Sequence, residues 1–125
     1  MTEDCPFCHP DPERVFLETD LVIGLWDKYP VSPGHALLVP RRHVADWFEA
    51  TPAEQLALIS ALPMAKEAVE RDHHPQGYNI GINIGQAAGQ TVFHLHIHLI
   101  PRYDGDQDDP RGGVRRVIPE RAEYW

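Results

Sequence analysis

The sequence has few cysteines, a deficit of positive charge and no long hydrophobic run. Two cysteines in 125 residues cannot build a disulfide framework. Eleven basic residues against nineteen acidic ones give a formal charge of −8, which disfavours binding to a nucleic acid polymer or an anionic membrane. No stretch approaches the roughly 18 apolar residues of a membrane-spanning helix, and the acidic start does not resemble a signal peptide. We therefore expect one cytoplasmic domain with neither a membrane nor a nucleic acid partner.

Histidine, by contrast, is abundant, with eight in the chain. Three of them alternate with apolar residues in Phe93-His94-Leu95-His96-Ile97-His98-Leu99-Ile100. Because side chains alternate along a strand, we expect the three imidazoles on one face, ~6.5 to 7 Å apart. The apolar residues between them would form the opposite face and fix the register of the strand.

Hydrophobic periodicity predicts five strands and one long helix. The predicted strands are Val15–Leu17, Leu21–Trp26, His35–Val39, Tyr78–Ile84 and Val92–Ile100. Thr51 and Glu54 form a capping box at the start of the helix, with Pro52 at its first position. The apolar side chains that repeat at helical spacing are Leu58, Leu62, Ala65 and Val69. We expect a kink at Pro63, and overall an α+β protein with an antiparallel sheet.

The histidine face is compatible with two kinds of catalysis. Alternating histidines are good ligands for a catalytic zinc ion, which would activate a water molecule. The same imidazoles also suit covalent catalysis, in which one histidine is the nucleophile and the others place protons and charge. Spacing alone does not distinguish these mechanisms. The pair Cys5-x-x-Cys8 is likewise compatible with a metal site or a redox pair, although the βαβ context of thioredoxin-like proteins is missing.

Three segments together resemble one known family. Residues 89–102 resemble the histidine-triad (HIT) signature, and Asp27 with residues 31–43 resembles the family's upstream block. Cys5-Pro6-Phe7-Cys8 resembles the zinc-binding start of many bacterial members. The resemblance implies a HIT-like fold with a five-stranded antiparallel sheet, one long helix and one short helix. It implies a single domain over residues 1–125, with a catalytic core at about 5–102 and a C-terminal extension at 103–125.

The resemblance also implies an activity, the cleavage of nucleotides at the α-phosphorus. His96 would be the nucleophile that becomes nucleotidylated. His98 would assist the leaving group, and a protonated imidazole there would offset phosphoryl charge. The role implied for His35 is a supporting one. Because His98 stands where transferase branches often carry glutamine, the resemblance favours a hydrolase of dinucleoside polyphosphates or nucleoside phosphoramidates.

Substrate contacts are implied residue by residue. Asp27 would bind both ribose hydroxyls, a role that suits a carboxylate. The polar residues expected near the phosphates or the leaving group are Asn83, Gln90, Thr91 and His98. For the apolar base pocket we expect Phe7, Leu25 and Trp26, and adenine as the base.

The resemblance completes the cysteine pair as a structural zinc site. The implied ligands are Cys5, Cys8, His43 and His94, a closed tetrahedral set. His9 is a competing ligand, and a metal-free pair of hydrogen-bonded thiols is the other alternative. No organic cofactor is expected.

The resemblance implies a homodimer, for which Trp47, Phe48 and Trp125 are apolar candidates. The extension carries Arg111, Arg115 and Arg116, which would either reach a polyphosphate or lie in a solvated or dimer-contact tail. Two other functions remain open, a nucleotide-binding scaffold with incidental hydrolysis and a zinc hydrolase that uses the three alternating histidines as ligands.

Overall fold

The computed structural model of the chain describes residues 2–125 and contains one five-stranded sheet. The strands are β1 (Val15–Glu18), β2 (Val22–Trp26), β3 (Ala36–Pro40), β4 (Gly77–Gly81) and β5 (Ile97–Arg102). Their order in the sheet is β1-β2-β3-β5-β4, and every neighbouring pair is antiparallel. The predicted α+β class and five-stranded antiparallel sheet are confirmed.

The long helix, α1 (Pro52–Glu70), begins at the predicted capping box. The Thr51 hydroxyl accepts the Glu54 N–H at 3.1 Å, and the Glu54 carboxylate accepts the Thr51 N–H at 2.9 Å. The helix continues through Pro63 without interruption. The other helical segments of residues 2–125 are 3-10 turns of three to five residues, so the expected short helix is present only in that form. No helix in this range is both long and apolar enough to cross a bilayer.

The two faces of the sheet have different coverings. Helix α1 packs on one face, where its Leu58 and Val69 join Leu38 and Leu99 in the main hydrophobic core. A smaller core lies on the opposite face, formed by the N-terminal loop with β2 and β3; its members are Cys5, Phe7, Ile23, Leu25, Leu37 and Val39. Because alternate residues of a strand face opposite ways, the even-numbered residues of β5 face away from α1. That face carries His98 and is called the histidine face below.

Two predicted strands are shorter than expected. β5 begins at Ile97 rather than Val92, because residues 92–96 lie outside the ladder; the Leu95 N–H donates instead to the Val44 carbonyl at 2.7 Å. β4 ends at Gly81, three residues before its predicted end. The alternation holds from His94 onward, since Leu95 is buried with the core. Phe93, expected on the apolar face, is 48% exposed.

The C-terminal segment, residues 103–125, folds back onto β4, the edge strand on that side of the sheet. It contains two 3-10 turns, Gly113–Val117 and Pro119–Arg121, and the first of these contacts β4. A Cβ atom at Gly113 would lie 3.2 Å from the Asn79 side chain, which shows how closely the segment approaches the sheet. It therefore forms a wall beside the histidine face.

An ion pair between a buried carboxylate and a half-exposed guanidinium joins the start of α1 to the loop after β3. The Glu54 carboxylate, 5% exposed, accepts two hydrogen bonds from the Arg42 guanidinium, at 2.9 and 3.0 Å. These bonds, with the Thr51 N–H, lower the pKa of Glu54 to about 2. Since Arg42 precedes His43, the pair also holds the chain that carries this histidine.

We predict that Glu54→Gln lowers the free energy of unfolding by roughly 1–3 kcal/mol at pH 7, because it weakens the cap and leaves Arg42 partly unpaired. Glu67→Gln, an exposed position of the same helix, is the control, with an expected change within about 0.5 kcal/mol. A carboxylate with a lowered pKa stabilises the fold above its unfolded pKa, so the Glu54 effect should disappear as the pH falls from about 4.5 towards 2. Urea unfolding across this range measures it; equal effects of the two variants would contradict the prediction.

Candidate active site and metal centre

A cleft of about 370 Å³ lies on the sheet face opposite α1. It is lined by six of the site residues expected from the sequence: Asp27, His35, Asn83, Thr91, His96 and His98. These residues come from the ends of β2 and β5, the loop before β3 and the loops between β4 and β5. The fold therefore gathers residues that are up to about 70 positions apart in the sequence.

His96 has a defined tautomer. Its Nδ1 lies 2.9 Å from the main-chain carbonyl oxygen of His94, which accepts a hydrogen bond and cannot donate one. The proton of the neutral ring is therefore on Nδ1, and Nε2 carries the lone pair. The ring packs against Phe7, with centroids 5.0 Å apart, and is 9% exposed. His96 thus offers one nucleophilic nitrogen in a largely fixed orientation.

A hydrogen-bonded chain of Asp27, His35 and His98 orients the His98 ring. The Val31 N–H donates to His35 Nδ1 at 3.1 Å, so the proton of neutral His35 is on Nε2. That nitrogen lies 2.9 Å from His98 Nδ1 and 3.4 Å from Asp27 Oδ2. His98 Nδ1 is therefore an acceptor, and the proton of His98 is on Nε2. The chain makes His98 a hydrogen-bond donor on its free side.

Burial keeps His35 and His98 neutral. Burial, with the nearby His96 and His35, lowers the pKa of His98 to about 4. Burial also lowers the pKa of His35, against the opposing effect of Asp27. The expected protonated imidazole at His98 is therefore not the form present at neutral pH. Its contribution is a neutral N–H donor.

A second cluster brings together Cys5, Cys8, His43 and His94. Cys8 Sγ lies 3.1 Å from His43 Nδ1 and 3.5 Å from His94 Nδ1, and Cys5 Sγ lies 3.4 Å from His94 Nδ1. The two Nδ1 atoms are 3.2 Å apart. Ligand atoms around a tetrahedral zinc ion lie roughly 3.3–3.8 Å apart, given metal–ligand distances of about 2.0–2.3 Å. The spacing is thus close to that of a tetrahedral set.

The donor set of this cluster also suits a metal ion. The Pro40 carbonyl accepts the Nε2–H of His94 at 2.8 Å, which leaves the lone pair of Nδ1 directed at the two sulfurs. Burial and the adjacent Cys5 sulfur raise the pKa of the Cys8 thiol, so thiolates here need a compensating cation. The four residues therefore fit the group that the sequence resemblance implied. His9 is not among them.

The other candidate metal cluster, Asp27 with His35 and His98, has the opposite hydrogen-bonding pattern. Because the Val31 N–H occupies His35 Nδ1, the nitrogen facing the cluster carries a proton and cannot bind a cation in this tautomer. Nor do the three alternating histidines converge: His94 Nδ1 faces the cysteines, whereas the Nδ1 atoms of His96 and His98 have partners of their own. This arrangement does not support a catalytic zinc on the three histidines.

Three expected substrate contacts lie outside the cleft. Gln90, 4% exposed, accepts the Gly85 N–H and donates to the carbonyls of Ala45 and Val92, so it holds the loop rather than facing a ligand. Leu25 belongs to the smaller core. Trp26 stacks on Phe16 with ring centroids 4.3 Å apart. Of the three expected base-pocket residues, only Phe7 lines the cleft.

Two cationic residues of the cleft were missed by sequence reasoning. Arg14 and Lys28 both line it. The Arg14 guanidinium donates to the Trp26 carbonyl at 3.2 Å, which holds it at the β2 end of the cleft. The only sequence signal was a basic residue beside each of two strands in an acidic chain. These charges supply local attraction for an anionic ligand despite the net charge of −8.

The chain belongs to the histidine-triad family, since the HIT domain profile matches residues 10–105. It is 34% identical over 124 residues to a HIT-like protein of Saccharolobus solfataricus, covering 96% of this chain and 89% of that protein. It is 36% identical over 102 residues to the AP-4-A phosphorylase of Mycobacterium tuberculosis, covering 80% of this chain and 52% of that protein. It is also 36% identical over 97 residues to the asymmetrical bis(5′-nucleosyl)-tetraphosphatase of Schizosaccharomyces pombe, with 78% and 53% covered. The chain thus spans about half the length of the last two relatives.

Solved structures share the fold. A HIT family protein of Bacillus anthracis superposes with a TM-score of 0.77 at 34% identity, covering 85% of this chain and 78% of that one. A zinc-bound histidine triad protein of Mycobacterium smegmatis has a TM-score of 0.73 at 36% identity, with 86% and 81% covered. The family and the HIT fold expected from the sequence are confirmed.

The lowered pKa of His98 predicts a loss of stability in acid. The unfolded chain binds a proton at this residue near pH 6.5, whereas the folded chain binds it only near pH 4. The free energy of unfolding should therefore fall between these values, by up to about 3 kcal/mol from this group. His98→Gln, which stays neutral, should show a smaller loss in urea unfolding at pH 7 and 4.5, while exposed His74→Gln should match the wild type. Parallel pH dependences of wild type and His98→Gln would contradict this.

Proposed function

We propose that the protein is a nucleotidyl hydrolase that cleaves nucleotides at the α-phosphorus through a covalent intermediate on His96. The observation that carries this proposal is the tautomer of His96, whose Nδ1–H donates to the His94 carbonyl at 2.9 Å. A ring held in this way presents an unprotonated Nε2 to a cleft that also contains cationic residues. Family membership supports hydrolysis of nucleotides, and the covalent step is our inference for this chain.

In the first step, the lone pair of His96 Nε2 forms a bond to the α-phosphorus. The bond from phosphorus to the leaving atom breaks, and its electron pair departs with that atom. The ring gains positive charge, which the His94 carbonyl stabilises through the Nδ1–H. His98 is neutral and donates its Nε2–H as a hydrogen bond to the leaving atom, since the N–H of a neutral imidazole is too weak an acid to give up its proton.

In the second step, water replaces the histidine. Its oxygen attacks the phosphorus, the phosphorus–nitrogen bond breaks, and the electron pair returns to Nε2. The proton of the water passes to solvent, and the nucleoside monophosphate is released. Asp27 would hold the ribose hydroxyls, while Thr91 and Asn83, which line the cleft, would contact the phosphates.

A leaving group that departs as an anion suits this site best. A hydrogen bond from neutral His98 is enough to stabilise a departing phosphate oxygen, whereas an amine must first be protonated. Two relatives are named for dinucleoside tetraphosphates, which supports the same class of substrate. We therefore rank dinucleoside polyphosphates above nucleoside phosphoramidates.

We also propose that Cys5, Cys8, His43 and His94 bind a structural zinc ion. The ligand spacing and the orientation of His94 support this, as does the existence of a zinc-bound relative. The ion would tie the N-terminal loop to the segment that carries the nucleophile, and it would not contact substrate. Cysteine ligands that must stay reduced suit a reducing compartment, in agreement with the cytoplasmic location expected from the sequence.

A homodimer remains part of the proposal. Helix α1 presents Leu56, Ile59 and Met64 to solvent, at 67%, 50% and 44% exposure. Of the three residues suggested by the sequence, Phe48 is 76% and Trp125 44% exposed, and Trp47 packs against the core. An apolar surface on α1 supports association through the helix.

The first test is release of AMP from diadenosine tetraphosphate and from adenosine 5′-phosphoramidate, followed by chromatography. His96→Ala should lose at least about 10³-fold in rate, because no other group forms the covalent bond. The control is His74→Ala, an exposed histidine outside the cleft, which should keep wild-type rates. Mass spectrometry of acid-quenched wild-type reactions should detect the nucleotidylated chain. Turnover that persists in His96→Ala would overturn the proposal.

Zinc should be measured by elemental analysis of the purified protein. We expect one equivalent in the wild type and none in Cys8→Ser, whose melting temperature should fall by several degrees because metal binding contributes folding energy. Brief treatment of the wild type with a chelator should leave turnover intact while it lowers thermal stability. Immediate loss of turnover without loss of structure would instead indicate a catalytic metal.

A further inference from the structure

A second groove, of about 510 Å³, adjoins the catalytic cleft. Val31 lines both cavities, so the two meet at the loop before β3. The floor of the groove is formed by β4 and β5, and its far wall by the C-terminal segment. Its lining includes Val31, Pro33, Ile100, Arg102, Tyr103 and Arg116.

Strand geometry relates the groove to the reaction. His98, Ile100 and Arg102 are alternate residues of β5 and share one face, at steps of ~6.5 to 7 Å. The groove therefore begins one step beyond the histidine that donates to the leaving atom. Across the sheet, Asp27 follows β2 and Arg14 precedes β1, so both lie on the β3 side of His98, away from β4. A nucleoside held by Asp27 would leave the β4 side free for whatever departs from phosphorus.

The charges of the groove leave one guanidinium available. Each of the two carboxylates in the groove is paired with an arginine other than Arg116: Asp106 with Arg102 at 2.8 Å, and Asp109 with Arg111 at 2.9 Å. The Arg116 guanidinium donates only to the carbonyl oxygens of Arg111 and Asp109, at 3.2 and 3.3 Å, and it lies 5.8 Å from the Trp125 ring. Within residues 2–125 it forms no carboxylate pair. Of the two arginines that line the groove, Arg116 is thus the one without a paired carboxylate, although its charge also acts on Asp109.

Part of the remaining wall is apolar and aromatic, beside the polar side chains of Ser32, Asn79 and Gln107. Val31, Pro33 and Ile100 contribute aliphatic surface, and the Tyr103 ring is fixed by its hydroxyl, which donates to the Pro33 carbonyl at 2.6 Å. Such walls suit a flat heterocycle, and the volume lies within the usual range of small-molecule sites. A cation beside apolar walls, next to a leaving-group donor, is what a nucleotide requires.

We propose that this groove binds the departing nucleotide of a dinucleoside polyphosphate, with Arg116 on its phosphates and its nucleoside against the apolar walls. The inference rests on the proposed function and extends it by identifying the leaving group and its subsite. The bond from the α-phosphorus to the bridging oxygen breaks, and the electron pair departs on that oxygen as part of a nucleoside polyphosphate anion. Arg116 offsets this charge, and no proton needs to be transferred.

The kinetic test compares two substrates that differ only in the leaving group. Arg116→Gln should lower kcat/KM for diadenosine tetraphosphate about tenfold, the effect of one charge-assisted contact, and leave adenosine 5′-phosphoramidate within about twofold. Arg121→Gln is the matched control, because it removes the same charge from the same segment outside the groove. Equal losses on both substrates, or equal effects of the two variants, would overturn the proposal.

A blocking variant tests the groove without relying on Arg116. Ile100→Trp adds bulk on the face opposite α1 and should also lower kcat/KM selectively for diadenosine tetraphosphate. Calorimetry with His96→Ala supplies a readout that does not depend on turnover: adding Arg116→Gln should weaken diadenosine tetraphosphate about tenfold and leave AMP unchanged. If the wild type cleaves neither substrate, the proposed function fails, while this binding comparison still decides the subsite. Equal affinity for diadenosine tetraphosphate with and without Arg116 would refute it.

Discussion

The hydrogen bond from His96 Nδ1 to the carbonyl oxygen of His94 joins the two chemical centres of the molecule. The side chain of His94 faces the cysteines, while its main-chain carbonyl accepts the hydrogen bond from His96 Nδ1–H that leaves Nε2 unprotonated. One residue therefore serves the candidate metal centre with its ring and the candidate nucleophile with its backbone. A displacement of His94 would alter the protonation of a neighbouring imidazole as well as the spacing of the sulfur and nitrogen atoms.

Hydrogen-bond partners that contribute no reactive side chain decide what each histidine cluster can do. The Pro40 carbonyl accepts a hydrogen bond from the Nε2–H of His94, which leaves the Nδ1 lone pair facing the two sulfurs. An amide, that of Val31, fills the outer nitrogen of His35 and forces a proton to face His98 and Asp27. Similar residue types at similar distances thus form a candidate cation site in one case and a series of hydrogen-bond donors in the other.

Local patterns predicted much of the fold and of the site. The capping box of Thr51 and Glu54 and the alternation around His96 depend on neighbours in the sequence, and both are present in the structure. The start of β5 was misplaced because Leu95 bonds to Val44, a partner far away in the chain. Gln90 was misassigned for a related reason: its polar side chain satisfies buried backbone groups of Gly85, Ala45 and Val92, which no local pattern indicates. The role of Arg116 depends on which carboxylates other arginines occupy, and that is a property of the folded segment.

The residues assigned to catalysis and those of the outer wall of the second groove lie in different parts of the sequence. Every residue assigned to bond-breaking precedes the end of β5 at Arg102, whereas the outer wall of the second groove belongs to residues 103–125. That wall contributes no residue to the main core and contacts the sheet at β4. It resembles an exchangeable module: insertions or substitutions there can reshape the wall while the nucleophile and its supports remain intact. Divergence among relatives of this chain would then be concentrated at the C-terminal segment, where new ligand preferences can arise with little loss of folding stability.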